Sequence, residues 1–265
     1  MKRISIGLAA ATALLATSAF AADLPAKVYT KAPVVVAPIY SWTGFYVGGN
    51  IGYSWGRSND TSTITNTASG AVLATSAGKS NLNGVVGGGQ VGYNWQMQNW
   101  VWGLEADIQG TGEKGTRNFA YTPAPIVGAN FFLPVPVGVA LTQQIDWFGT
   151  VRARGGFLVS PQVLLYGTGG LAYGEVKSGE VIGLFPGLSA TNTNVGWTVG
   201  AGIEGLINAN WTAKLEYLYV DLGRVSGSFT PAGGVITSAY SSRITDNVLR
   251  VGVNYKFGGP VVAKY

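Results

Sequence analysis

Glu105 and Asp107 stand two residues apart in an alternating apolar–polar segment, so a strand there carries both carboxyls on one face. Two carboxyls so placed could divide general-acid and general-base work. Arg152 and Arg154 repeat the spacing with the opposite sign. Arginines facing those carboxylates make ion pairing the stronger reading. Gly200-Ala201-Gly202-Ile203-Glu204-Gly205 matches the dinucleotide-binding pattern letter for letter. It lies inside a strand-like segment with no helix after it, so the geometry that cradles a phosphate is absent. Gly167-Thr168-Gly169-Gly170 fails the same test.

Composition narrows the chemistry further. The chain has no Cys and no His. Thiol nucleophiles, imidazole bases, disulfides and Cys/His metal sites are therefore excluded. Only Tyr or the two Met could ligate a haem iron. Outer-membrane proteases and lipid-modifying barrels rely on a His, so no enzyme is expected, and no cofactor or metal. Charged residues are 11% of the chain and mean hydropathy is +0.24. A soluble domain carries about a quarter charged residues. Yet no internal apolar run reaches the roughly 18 residues of a membrane helix. The combination points to an all-β chain that crosses a membrane with strands.

The elements that must position these residues are legible as a period of two. Alternation predicts eight strands, over 42–56, 83–97, 100–109, 145–159, 163–173, 195–207, 211–221 and 247–257. In 42–56, Phe45, Val47, Ile51, Tyr53 and Trp55 share one face, against Gly44, Gly48, Asn50, Gly52 and Ser54. The segment 163–173 is the least regular, because Leu164 and Tyr166 interrupt its polar face. Turns near 98–99, 160–161 and 208–210 are short; connections over 57–82, 110–144, 174–194 and 222–246 are long. The sorting predicts an eight-stranded antiparallel transmembrane β-barrel with short periplasmic turns and long extracellular loops. Trp42, Trp95, Trp100, Trp102 and Trp211 fall at the periplasmic strand ends, and Trp55, Trp147 and Trp197 near the others. That is the two-girdle distribution of indoles at a lipid–water boundary. A lipocalin-like barrel with its apolar face inward is disfavoured, since an eight-stranded lumen cannot hold so many large side chains.

With polar faces inward, counting from the turns brings Glu105 opposite Arg154 and Asp107 opposite Arg152. Glu204 is expected near Lys214, and Glu216 near Arg250. These eight read as a structural ion network, with a gate or selectivity filter as the sharper alternative. In the loops, Phe131, Phe132 and Leu133, with Leu184 and Phe185, form apolar tips. They would serve as a binding patch, or pack on each other or into lipopolysaccharide.

Met1-Lys2-Arg3, the apolar stretch 4–16 and Ala19-Phe20-Ala21 read as a secretory signal cut after Ala21. Removing Lys2 and Arg3 leaves 15 bases against 12 acids, net +3, with no basic block and hence no nucleic-acid footprint. The expected organisation is signal peptide 1–21, Pro-rich periplasmic linker 22–41 with Pro25, Pro33 and Pro38, and barrel 42–265.

Trp42-Thr43-Gly44-Phe45-Tyr46-Val47-Gly48-Gly49-Asn50-Ile51-Gly52-Tyr53, together with Asn254-Tyr255-Lys256-Phe257-Gly258-Gly259-Pro260 and the closing Val261-Val262-Ala263-Lys264-Tyr265, resembles the small outer-membrane barrels of alphaproteobacteria, the RopB-type major outer-membrane proteins of rhizobia and brucellae. The resemblance runs from Trp42 to Tyr265. It implies residence in the outer membrane of a Gram-negative bacterium, among lipid and lipopolysaccharide. It also implies an assembly signal read by the barrel-assembly machinery, with Arg250, Gly252, Tyr255 and Phe257 at its fixed positions and eight residues beyond. A mature chain opening Ala22-Asp23 implies a transpeptidase link to peptidoglycan. The expected role is envelope integrity and surface exposure without chemistry. A narrow porin is the second expectation, and an adhesin or receptor working through the apolar loops the third.

Overall fold

In a computed structural model, described here for residues 40–121, 137–182, 188–230 and 236–258, eight antiparallel strands close into a barrel in chain order. They are β1 Gly44–Asn66, β2 Val72–Met97, β3 Trp100–Tyr121, β4 Val137–Ser160, β5 Val163–Ile182, β6 Leu188–Leu206, β7 Trp211–Phe229 and β8 Ile236–Lys256. β1 pairs β8 over its whole length, Tyr46 opposite Lys256 and Asn66 opposite Ile236, so the sheet has no free edge. The signal segment, with Ala21, Ala22 and Asp23, the linker up to residue 39, and the tips Phe131, Phe132, Leu133, Leu184 and Phe185 lie outside the described residues.

Every strand runs well past the end that alternation predicts. The expected loop over 57–82 is a turn of five residues, 67–71, between strands of 23 and 26 residues. The sequence disguises this because the outward face turns polar above the membrane band. Beyond Trp55, β1 exposes Arg57, Asn59 and Thr61 while Ser58, Asp60 and Ser62 stay buried. Hydrophobic alternation therefore stops where lipid stops, although the hydrogen-bonded ladder continues.

Outward faces carry Phe45, Ile51, Tyr53, Val85, Leu104, Ile108, Val151, Leu171, Val199 and Leu249, all exposed. Seven of the eight tryptophans face outward. One belt gathers Trp95, Trp100, Trp102 and Trp211 with Tyr93, Phe157, Tyr255, Phe257 and Phe45, through ring contacts of 4.8–6.3 Å. The other pairs Trp55 with Tyr217, Trp147 with Tyr173 and Trp197 with Tyr219. Phe45 and Trp55 are ten residues apart on β1. At about 3.3 Å per residue and a tilt near 40°, they stand ~25 Å apart along the membrane normal, the height of an outer-membrane apolar band.

Trp42 is the exception, and the girdle expectation fails there. It precedes β1 and is 1% exposed, folded across the short-turn mouth. Its backbone N–H donates to Gln96 Oε1 at 2.7 Å and its indole N–H to the Pro161 carbonyl at 3.3 Å. It packs with Tyr40, Val101, Leu158, Leu164, Tyr166 and Leu206. Leu164 and Tyr166, the residues that blurred the polar face of β5, are inward by design of this plug.

Three ladder irregularities sit just above the second belt, at Gly110/Glu113, Ile145/Trp147 and Asp221/Arg224. Inner and outer faces exchange on β4, between Phe148 and Ile145, and on β7, between Leu222 and Val225, while β3 keeps its parity through Glu113. Ile145 consequently points inward. Asp146, on the inner face by simple alternation, instead meets Lys177 outside the barrel at 2.5 Å.

Candidate functional site

The lumen is where the described residues concentrate buried ionisable side chains. β3 contributes Glu105 and Asp107, β4 Arg152 and Arg154, β6 Glu204, β7 Lys214 and Glu216, and β8 Arg250. Four carboxylates meet four cations, and all eight are at most 5% exposed. The β3–β4 register is shifted by two residues from the count out of the turns: Glu105 lies opposite Arg152, and Arg154 opposite Gly103. The ladder begins with Trp100 opposite Phe157, leaving residues 158–160 beyond it. Glu204 and Lys214 are in register, as are Glu216 and Arg250.

Side-chain reach then redistributes the partners. Arg152 is the hub, contacting Glu105, Asp107 at 3.0 Å and Glu216 at 3.1 Å. Arg250 binds Glu216 at 2.6 Å and Asp107 at 2.8 Å. The Lys214 ammonium turns from its register neighbour Glu204 to Glu105, donating at 2.9 and 3.0 Å. Arg154 donates to Glu204 at 2.5 Å and lies 3.5 Å from Glu105. Glu204 also accepts from Thr212 at 2.6 Å and Asn254 at 2.8 Å.

Two tyrosines complete the cluster. Tyr46 donates to Glu105 at 2.7 Å and accepts from Arg154 at 3.1 Å; Tyr166 donates to Glu216 at 2.9 Å. The Arg154 guanidinium sits 4.1 Å from the Tyr166 ring centroid. Each phenol lies flat over a glycine of the inner wall, Tyr46 over Gly92 and Tyr166 over Gly202, where a Cβ would strike the ring. Gly202 belongs to the GxGxxG-like string, whose glycines thus serve packing. Neither tyrosine was singled out by chemistry, but Tyr46 shares its parity with Gly48 and Asn50, which is the signal that places it inside.

Above the charges the lumen becomes apolar. Leu82, Val86, Ile145, Phe148, Ala172, Val176, Leu218, Val220, Leu222, Val225, Ile244 and Val248 form one buried cluster. Three strands show the change directly, Arg152 giving way to Phe148 on β4, Glu216 to Leu218 on β7 and Arg250 to Val248 on β8, while β3 continues with buried Gln109 and Glu113. Glu113 and Asp246 are buried at this level, with the Ser54 hydroxyl donating to Asp246 at 2.5 Å. Both fall in segments that sequence patterning assigns to loops. Higher still, Asp60 accepts from Ser58 at 2.5 Å, Ser80 at 2.7 Å, Ser242 at 2.6 Å and Gln143 at 2.9 Å. Beside it opens a cavity of about 230 Å³ lined by Gln143, Ser178, Ser226, Ser228 and Tyr240.

Among the described residues no group of three or more His, Cys, Asp or Glu is disposed to hold a metal. The carboxylates are turned toward guanidinium and ammonium groups instead. Outside the lumen, Lys177 hydrogen-bonds Asp146 and holds its carboxyl below the usual aspartate range.

The family model for the outer membrane protein β-barrel domain matches residues 7–257. The chain belongs to that family. Among the curated relatives of this barrel is the 31 kDa outer-membrane immunogenic protein of Brucella melitensis, 39% identical over 96% of this chain and 99% of the relative. Another is the 22 kDa outer membrane protein of Rhizobium leguminosarum bv. viciae, 31% identical over 84% and 81%. Of solved structures, OprG of Pseudomonas aeruginosa, 14% identical, aligns over 82% of this chain and 97% of that one with a TM-score of 0.49. This outer-membrane barrel therefore resides in the outer membrane of a Gram-negative bacterium, with its short turns periplasmic and its longer strand ends outside.

Of the four residues expected to form an assembly signal, Arg250 is committed to the ion cluster and Gly252 faces Asn50 and Gln90 inside. Tyr255 and Phe257 face lipid in the periplasmic belt.

Proposed function

We propose that this protein is a sealed structural barrel that supports envelope integrity and carries surface-exposed strands, without catalysis. The observation that carries this reading is the apolar stratum around Phe148, Leu218 and Val248, stacked on a charge cluster that sums to zero. A conducting pore needs a continuous wet path, and a stratum rich in buried apolar side chains works against one. The ion cluster then acts as the wall-to-wall bracing of the lumen, satisfying charges that would be costly if unpaired. Every carboxylate of the cluster is held by cations, which takes these four out of acid–base chemistry. Its relatives are called immunogenic, and the same outward exposure is proposed for β1–β2 and the other long strand ends. The barrel-assembly machinery would read Arg250, Gly252, Tyr255 and Phe257. Ala22-Asp23 would be the point of attachment to peptidoglycan, reached through the Pro-rich linker.

Single-channel recording of the refolded mature protein in a planar bilayer tests the seal: silence is expected, and steady conductance in the wild type would make it a narrow porin. The peptidoglycan link predicts that lysozyme digestion of sacculi shifts the protein's gel mobility; an unshifted band would remove it.

A further inference from the structure

The charged residues on the barrel's outer surface are placed asymmetrically. Among the described residues, no lysine or arginine faces outward from the extracellular aromatic belt down to the periplasmic turns, while Glu175 and Asp221 stand opposite Trp147 and Trp197 at the belt itself. Just above that belt, Arg57, Lys79, Lys114, Lys177, Arg224 and Arg243 all do, and all are exposed. Lys177 is matched by Asp146 at 2.5 Å and Glu175 at 3.8 Å. The others are arranged differently.

Strand pairing puts Arg224 of β7 directly opposite Arg243 of β8, Arg243 opposite Asn59 of β1, and Asn59 opposite Lys79 of β2. Four strands thus present one row, Arg–Arg–Asn–Lys, about 14 Å wide at the usual spacing between strands. Arg57 lies two residues below Asn59 on the same face. Like charges directly opposite one another in a sheet are destabilising, so the row costs stability unless an anion covers it. Asp221 reaches Arg243 at 2.7 Å, whereas Arg57, Lys79 and Arg224 make no ion pair among the described residues. Arg224 is aimed outward by a local device. The bulge at Asp221/Arg224, with Gly223 at φ 75° and its N–H donated to Asp221 Oδ1 at 2.8 Å, inserts a residue into β7. Leu222 and Val225 remain buried on either side of it. Simple alternation from Leu222 would have turned Arg224 into the lumen.

We propose that Arg224, Arg243, Lys79 and Arg57, with Asn59 between them, form a docking site for the phosphate groups of lipopolysaccharide in the outer leaflet. Arg57 lies two residues beyond Trp55, and the row itself four residues beyond Trp55 and five beyond Tyr219, on the side where acyl chains give way to anionic headgroups. Guanidinium forks match phosphate oxygens bidentately, and Asn59 adds donors between them. The site is independent of whether the lumen conducts.

The test uses the refolded mature protein in non-ionic detergent, titrated with diphosphoryl lipid A, or with the same lipid stripped of its phosphates, and read by native mass spectrometry. Wild type is expected to retain the phosphorylated lipid through purification and lose the stripped one. Replacing Lys79, Arg224 and Arg243 together by Gln should lower retention at least about tenfold, from the usual worth of a cation at an anionic surface. Lys177→Gln, whose cation is already matched, should leave it unchanged. Heat-modifiable gel mobility reports that each variant is folded. Equal retention of both lipids by the wild type overturns the proposal without recourse to a variant. So does a folded triple variant that holds the lipid as well as wild type. Binding of heparin through these residues, with the two lipids retained alike, would likewise overturn it in favour of a soluble polyanion.

Discussion

Arg152 shows what a single side chain is asked to do in this lumen. Its guanidinium contacts three carboxylates from two strands, Glu105, Asp107 and Glu216, and none of the four side chains is more than 2% exposed. Deleting one member of such a cluster leaves charge buried without a partner, which costs about 3–5 kcal/mol, whereas replacing both members by apolar side chains is near neutral. Arg152→Leu should therefore lower stability by that amount, seen as an earlier urea midpoint of the protein refolded in lipid vesicles. Glu105→Leu combined with Arg152→Leu should recover part of the loss. Lys177→Ala, an exposed member of an outer-surface pair, should leave the midpoint where it was. Trp42→Ala removes the largest side chain of the periplasmic plug, and a fully buried Trp lost to Ala costs about 3–5 kcal/mol. The same measurement reads it, and a midpoint unchanged by Trp42→Ala would show that the plug contributes nothing to stability.

At the scale of strands, close approach of inner-wall backbone to large side chains makes glycine identity a requirement at particular sites. Gly92 carries the Tyr46 ring on its inward side, while Gly87 on the same strand faces outward with 3.5 Å to the nearest carbonyl. Gly92→Val should displace Tyr46 from Glu105 and lower the yield of heat-modifiable, folded barrel; Gly87→Ala should fold normally. The strand count, their order and the inward face of all eight cluster residues were legible from alternation, since one period of two fixes both faces. Partner choice was not. The two-residue shift between β3 and β4 and the turning of Lys214 toward Glu105 depend on how far side chains reach across the lumen. Strand length was illegible for a different reason. Above the belt both faces are polar, so Asp60, Glu113 and Asp246 looked like loop residues. Bulges on β4 and β7 then reversed the parity that simple counting would carry upward. Trp42 misled because an indole at a strand end has two amphipathic homes, the lipid boundary and the barrel mouth, and only the chain's path before β1 decides between them.

Across the barrel three layers stand in series along the lumen, and the proposed seal rests on all of them: the plug around Trp42, the ion cluster, and the apolar stratum around Phe148, Leu218 and Val248. Layers in series have a consequence that a single gate does not. Opening one leaves the others intact, so conductance should not appear one variant at a time. Arg152→Ala with Arg154→Ala loosens the cluster but keeps the dry stratum above it and Trp42 below; such a barrel should be destabilised yet electrically silent. Phe148→Gly with Leu218→Gly thins the stratum but leaves Arg152, Arg250, Glu105 and Glu216 locked together, and should be silent too. Ion passage is expected only when both sets are combined with Trp42→Ala, in the fraction of molecules that still folds. Planar-bilayer recording of the three variants in parallel decides the matter. Steady current from the arginine variants alone would mean that the charges are the constriction of a pore, that the apolar stratum yields to water, and that the sealed-barrel reading is wrong.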